Sequence, residues 1–561
     1  MTGRVDNTDT RMTTQRRHPL YLIFQWHMHQ PFYKDELSGE YLLPWTRLHV
    51  TKDYTDMAWH LERHPEVRSV VNFVPSLLLQ IREYEDLSTI REKHLQLTLK
   101  PAEELSQEEK DFLLQEFFSA NYSRIIERSP RYKALYQKRP DSGTSGGSVT
   151  AREKFSSQDY RDLQVWFLLA WTGQEIASEP EVRSMVKQDR GFSKVQKERL
   201  LEIHQKYISD VIDRYHQLWK SGQIELSVSP YAHPILPLLM DSEVARICMP
   251  GLQLPRYRFR HPGEARRQVD EGLNTVRQQF GWEVQGMWPS EGSVSEEVVN
   301  LLAAESLRWI TTDSNVLARS LSRNGSPAPM NRGEQYSPYT FETPNGPMNI
   351  FFRDQMLSDL IGFQYAKMDS GDAVSDFIGH LRQIHTGLPD DEFPYVAVIT
   401  MDGENAWEHF EANGKPFFDK LYTELTGADW LETTTFSEYL DQFEPQHTLE
   451  WLHPGSWINA DYHIWIGHPE KNAAWDVLND AVQLVRRYED AGEEIPGTVK
   501  QALLQAEGSD WFWWYGDHNN SDHDEVFDLL FCDALRAVYR GLGEEPPAFL
   551  QRHQTLASSL K

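Results

Sequence analysis

The chain has 561 residues, 40% of them hydrophobic, which is enough to bury a large core and excludes the disordered class; length alone allows roughly two to four domain-sized units. Acidic residues outnumber basic ones 84 to 56, giving a formal charge of −28, so a polyphosphate partner meets net repulsion and nucleic acid is not an expected ligand. Cys248 and Cys532 are too few and too far apart for a disulfide framework and read as buried thiols of a reducing, cytoplasmic setting.

Residues 1–17 are polar and carry arginines, reading as a disordered tail. The apolar run after them, Leu20 to Trp26, is too short for a signal-peptide core or a membrane span and reads as a strand. Further short apolar, β-branched or aromatic runs follow at Ser69 to Phe73, Ile224 to Val228, Val284 to Met287, Trp309 to Thr312, Asn349 to Phe352 and Tyr395 to Thr400. Buried strands alternating with helical segments predict a parallel sheet covered on both faces, in closed form a seven-stranded β/α barrel over residues 18–410. An open doubly wound sheet is the alternative. The excursion at about residues 80–220 is too long for a simple crossover and reads as a helical insertion, with helical patterns over Glu108 to Ile126 and Val195 to Trp219. Within it, Pro140 to Thr150 has loop composition, and a second loop spans Ser322 to Tyr336. Helical periodicity dominates residues 411–561, as in Ala473 to Tyr488 and Val499 to Gln505, so a C-terminal helical domain is expected there.

The chemically unusual residues follow the predicted strands, where a β/α barrel places its active site. The first strand ends in Trp26-His27-Met28-His29-Gln30-Pro31, the third is followed by His233, and the fourth by Trp288-Pro289-Ser290-Glu291. Asp313 follows the fifth strand, Arg353-Asp354 the sixth, and Asp402-Gly403-Glu404-Asn405-Ala406-Trp407 the seventh. Glycoside cleavage needs two carboxyl groups, one attacking carbon or activating water and one protonating the leaving oxygen. Glu291 and Asp402, after the fourth and seventh strands, would face one another across a closed barrel mouth. His27 and His29 alternate along an extended segment and point to opposite sides unless the strand has already broken; as sugar donors they are preferred over a zinc reading with His233 or Asp402. Arg353 is a candidate to fix an acid by ion pairing with Asp354 or Asp313. Tryptophan, at 18 residues, fits a cleft that stacks pyranose rings, and the loop bearing Trp457 is a candidate subsite wall; the aromatic cluster from Asp510 to His518 reads as packing. Asp517 to Asp524 lacks the Gly and terminal Glu of a calcium loop, and no cofactor is expected.

These residues resemble glycoside hydrolase family 57 in family order over nearly the whole chain. Its motifs are similar to His27-Met28-His29-Gln30-Pro31, Ser229-Pro230-Tyr231 with His233, Gly286-Met-Trp-Pro-Ser-Glu291, Asp402-Gly403-Glu404, and Gly455-Ser-Trp-Ile-Asn-Ala-Asp-Tyr-His-Ile-Trp-Ile-Gly467. The resemblance implies Glu291 as nucleophile and Asp402 as acid/base of a retaining, metal-independent α-glucan hydrolase. It also implies substrate contacts for His27, His29, Gln30, His233, Trp288, Asp313 and Arg353, and for Glu404, Trp407, Trp457, Asp461 and Trp465. Details resemble the amylopullulanase branch, which acts on α-1,4 and α-1,6 bonds; His468 stands where that branch is expected to carry an acid. The alternatives are a 4-α-glucanotransferase or branching enzyme, a metal-dependent deacetylase or mannosidase, and a non-catalytic glucan sensor.

Overall fold

In the computed structural model, which describes residues 18–139, 154–322 and 327–551, seven parallel strands close into a barrel. They are β1 (Leu20–Met28), β2 (Ser69–Phe73), β3 (Ile224–Val228), β4 (Gly286–Met287), β5 (Trp309–Asp313), β7 (Gly346–Arg353) and β8 (Val396–Asp402). Closure runs through β1 and β8, whose register sets His27 beside Asp402, and through the single pairing of Arg353 with Val398. The open-sheet alternative is thereby overturned. The expected tail at residues 1–17 and the loop at 140–150 lie outside the described residues.

Alternation along the strands sorts two layers. Tyr21 and Ile23 of β1, Val70, Trp309, Phe351, Val396 and Val398 form an inner cluster, plugged by Phe436 and Tyr439 of the helix Phe436–Gln442. The same parity continues upward through Gln25 and His27, Asn72, Asp313, Arg353, Thr400 and Asp402. The barrel interior thus changes from an aromatic plug to a buried polar layer at the strands' C-terminal ends. The other parity, including Leu22, Phe24 and Trp26, packs under the helices. β4 is only two residues long, and Gly286 is required there because a Cβ would fall 1.9 Å from the Trp309 indole.

The structure differs from expectation in four places. β6 (Tyr339–Thr343) pairs antiparallel with β7 around a Pro-Asn-Gly turn, so the strand read at Asn349 is half of a hairpin. The expected helix Glu108 to Ile126 is broken: Gln107–Glu116 ends, and Asn121 recaps a short turn at Tyr122–Ile126 by accepting from Arg124 N. Beyond residue 410 the sheet continues, with β9 (Leu431–Thr433) on β1 and β10 (His447–Leu449) on β6. The loop expected at 322–336 contains a helix at Arg332–Gln335, started by an Asn331 capping box. The helical patterns at 195–219, 473–488 and 499–505 are present as Lys194–Lys220, Pro469–Asp490 and Gly497–Ala506. No helix among the described residues is long and apolar enough to cross a membrane.

Candidate active site

A cavity of about 500 Å³ opens at the C-terminal mouth of the barrel, within the range that holds small organic ligands. His27 lines it from β1 with His29 and Gln30 from the segment just after it, Glu291 from the turn after β4, Asp402 from the end of β8 and Glu404 from just beyond. Trp457 and Trp465 form part of its wall, completed by Trp45 and by Asp510, Trp513, Trp514 and Phe527 of the C-terminal helices.

Glu291 sits at φ 57°, a left-handed backbone that a residue with a Cβ adopts only where its surroundings impose it. The surroundings here are specific. Ser293 bonds back to Ser290, and Gly292 is needed because a Cβ there would lie 2.7 Å from Trp288. The loop carrying Trp457 is stapled to the same turn by Val294–Gly455 backbone bonds and by Trp457 N donating to the Glu291 carbonyl at 2.9 Å. The Trp457 indole then donates to Glu291 Oε2 at 2.7 Å. His233, also left-handed at φ 57°, brings Nδ1 to 3.8 Å from Glu291 Oε1. Two strained residues facing one another at a strand end are expected where geometry serves chemistry.

The histidine question is settled by where β1 stops. The strand ends at Met28, so His27 points into the barrel and His29 turns back toward it; their rings lie 5.7 Å apart, and both approach His233. His27 Nδ1 pairs with Asn72 Oδ1 at 2.6 Å and His29 Nε2 with Asp510 Oδ1 at 2.8 Å. Burial, with the charge on His29, pulls His27 down to about 3 and His233 well below the usual histidine range, so both are neutral.

The carboxyl pair is shifted upward. Burial first, then the charge of Asp402, pushes Glu291 up to about 8, against the lowering effect of the Trp457 bond. Burial also raises Asp402, while Asn405, His29 and Arg353 hold it down. Both acids are thus shifted toward the protonated form in the empty cleft. Glu404 is buried, its Oε2 lacks a hydrogen-bond partner, and burial beside Asp402 keeps it protonated well above the usual range.

Eight of the expected site residues line the cavity; six stand behind it. His233 and Trp288 buttress Glu291 and Trp457, the two indoles meeting edge-on at 5.3 Å. Asp313 is fully buried and binds Arg353 at 2.7 Å, and the Arg353 guanidinium lies 4.8 Å from the Trp457 ring, so this pair supports the indole from beneath. Asp354 instead caps the helix Gln355–Asp359 and accepts from Tyr336. Trp407 is core, packed on Trp26 and Phe418 with its NH on the Gly403 carbonyl. Asp461 pairs with His463 away from the cavity, and His468 caps the helix Pro469–Asp490. Sequence reasoning missed that the segment Ser509–Trp514 lines the cleft: Trp511 packs inside, whereas Asp510, Trp513 and Trp514 face the cavity. A polar Ser-Asp pair opening an otherwise aromatic helix was the available signal.

Trp457→Phe keeps an aromatic side chain but removes the indole N–H bond to Glu291. We expect turnover to fall roughly 10- to 100-fold, as for loss of one such bond, with the alkaline limb of the pH profile moving upward. Steady-state kinetics across pH would show both.

A β/α barrel carrying a buried carboxyl pair beneath an indole-walled cleft is an arrangement suited to glycoside cleavage. The chain belongs to glycosyl hydrolase family 57, whose model matches residues 23–451. It is 24% identical over 256 residues to the 4-α-glucanotransferase of Thermococcus litoralis, covering 44% of this chain and 32% of that one. To the α-amylase of Pyrococcus horikoshii it is 25% identical over 242 residues, covering 42% and 31%. The matched segment thus spans about a third of either relative's length. Among solved structures, the family 57 branching enzyme of Pyrococcus horikoshii superposes with a TM-score of 0.59 at 15% identity, covering 93% of this chain and 89% of that one. The α-amylase AmyC of Thermotoga maritima does so at 0.55 and 15%, covering 96% and 97%. At such identity these structures speak to fold alone.

Proposed function

We propose that the protein is a retaining hydrolase of α-glucosidic bonds in glycogen, starch or maltooligosaccharides. It would cleave α-1,4 bonds, with α-1,6 bonds of the amylopullulanase type as a further substrate. The observation that carries this reading is that Glu291 and Asp402, both shifted upward by burial, line one indole-walled cavity. Glu291 attacks the anomeric carbon while Asp402 protonates the leaving oxygen, and Asp402 then activates water to release the glycosyl-enzyme. In the empty site the proton favours Glu291; positive charge developing at the anomeric carbon favours the Glu291 carboxylate, and further desolvation by the bound sugar raises Asp402. In this reading Gln30 and Glu404 hold hydroxyls on the bound ring, and the part-exposed Trp457 stacks on a neighbouring unit. The free thiols of Cys248 and Cys532 support a cytoplasmic setting.

The pair must keep one proton to act. kcat/KM should fall on the alkaline side with an apparent pKa near 8 as that proton leaves, and on the acid side once both carboxyls are protonated. A profile flat between pH 6 and pH 10 would remove the pair from the mechanism.

Product analysis on glycogen, pullulan and maltoheptaose tests the reading. Shorter sugars with a rise in reducing ends are expected. Longer or branched products without that rise would make the protein a transferase instead, the activity for which the Thermococcus litoralis relative is named.

A further inference from the structure

His29, His233 and Asp510 have a property that the hydrolase reading does not use. One ligand atom from each lies within 4.8 Å of the others, in a group contributed by three separate parts of the chain. His29 Nε2 already stands 2.8 Å from Asp510 Oδ1, and the two imidazoles are 4.0 Å apart between centroids with a 33° tilt. Two of the ring nitrogens, His29 Nδ1 and His233 Nε2, are buried without a hydrogen-bond partner. For the His233 ring, fully removed from water, an unpaired nitrogen is a cost that folding does not normally leave in place.

The tautomer of His233 follows from its neighbours. Nδ1 faces Ser509 Oγ at 3.2 Å and Glu291 Oε1 at 3.8 Å, both able to accept its proton. A proton on Nδ1 leaves Nε2 with a free lone pair, and a serine or carboxylate on the other nitrogen is the outer-shell arrangement that orients ligating histidines. Of the acids that border the same cavity, Asp402 adds charge of the matching sign.

Two imidazole nitrogens and one carboxylate oxygen favour a borderline cation over the all-oxygen sets of Ca²⁺ and Mg²⁺. Zinc takes such ligands at about 2.0–2.2 Å in a tetrahedron, which puts neighbouring ligand atoms roughly 3.3–3.5 Å apart. His29 and Asp510 both line the cavity, and closing the group to that size requires their side chains to turn.

We propose that His29, His233 and Asp510 form a Zn²⁺ site at the floor of the cleft, and that the ion competes with glucan rather than assisting cleavage. The competitive part rests on the hydrolase reading above; the binding part does not. Coordination takes His29 out of hydrogen bonding to the sugar and sets a divalent cation beside Glu291, where it stabilises the free carboxylate but occupies the space of the ring.

Isothermal titration of the full chain with ZnCl₂ tests the binding. One site is expected, with affinity reduced at least about tenfold in Asp510→Asn and in His29→Gln, and weakened in wild type by saturating maltohexaose. Circular dichroism of both variants should match wild type. Co²⁺ in place of Zn²⁺ gives a readout independent of turnover: the intense visible bands of a four-coordinate nitrogen and oxygen site, absent in Asp510→Asn. In kinetics, Zn²⁺ should raise the apparent KM and leave kcat unchanged, and chelators should not lower the activity. No zinc bound by folded wild type at micromolar concentration, or equal affinity in both variants, overturns the site. Activity lost on chelation overturns the competitive role and makes the ion a reactant. Zinc bound at these residues by a chain that cleaves no glucan would uphold the site while removing the hydrolase reading.

Discussion

Glu291→Gln should lower turnover of maltoheptaose by roughly ten-thousand-fold or more, the scale on which removing a covalent nucleophile acts. Gln preserves the volume of the side chain and still accepts from the Trp457 indole at Oε, so the loss is chemical rather than structural. The same substitution carries a stability signature. The folded Glu291 carboxyl is raised from 4.5 to about 8, so its contribution to stability is fully present below about pH 4.5 and is lost as pH rises through about 8. Gln does not titrate. The thermal midpoint of the variant should therefore gain on wild type between pH 5 and pH 9, and scanning calorimetry at the two values would show it. A variant that retained turnover within tenfold would remove Glu291 from the nucleophile's place.

Asp402→Asn should cost roughly 100- to 10,000-fold on polymeric glucan, the range for loss of general acid and base help. The size of the loss should depend on the leaving group. An aryl glucoside whose phenol departs without protonation keeps its first step, so its glycosyl-enzyme should accumulate in a burst. Azide, which needs no base, should then restore turnover and yield the glucosyl azide of retained configuration. Azide product of inverted configuration would mean direct displacement and would set Glu291 to activating water instead. The position of Asp402 makes the test clean: it lies on the inward parity of β8, paired in register with His27 of β1, and its nearest side-chain bond is to the exposed Asn405. Removing its charge leaves no buried partner unsatisfied.

Strand positions were legible because buried parallel strands read as continuous apolar runs, and each run found by pattern corresponds to a barrel strand. β6, β9 and β10 escaped for physical reasons. β9 and β10 are three residues each and take their stability from an existing edge rather than from their own composition. β6 alternates as Tyr-Thr-Phe-Glu-Thr before Pro-Asn-Gly, a hairpin signal that the neighbouring loop composition obscured.

At the site, residue type and place in the chain were sufficient to bring Glu291, Asp402, His27, His29, Gln30 and Glu404 to one cavity. Strand ends in a parallel barrel converge, and the inward parity of β1 and β8 follows from a period of two. Sequence could not separate residues that touch the cavity from residues that hold those residues. Asp313 and Trp407 have the same types and the same strand-end positions as true lining residues. One is buried beneath Arg353 and the other turned into the helical shell by packing on Trp26 and Phe418. Asp510, 481 residues beyond His29, meets it only because the C-terminal helices close over the barrel mouth. The sequence by itself determined where the barrel strands lie and the acids at their ends, since burial and periodicity are local patterns, while closure of the sheet came from pairings far apart in the chain. Only the tertiary structure decided which carboxyl holds the proton, which indoles wall the cleft and which histidines meet, because desolvation and contact depend on parts of the chain hundreds of residues apart.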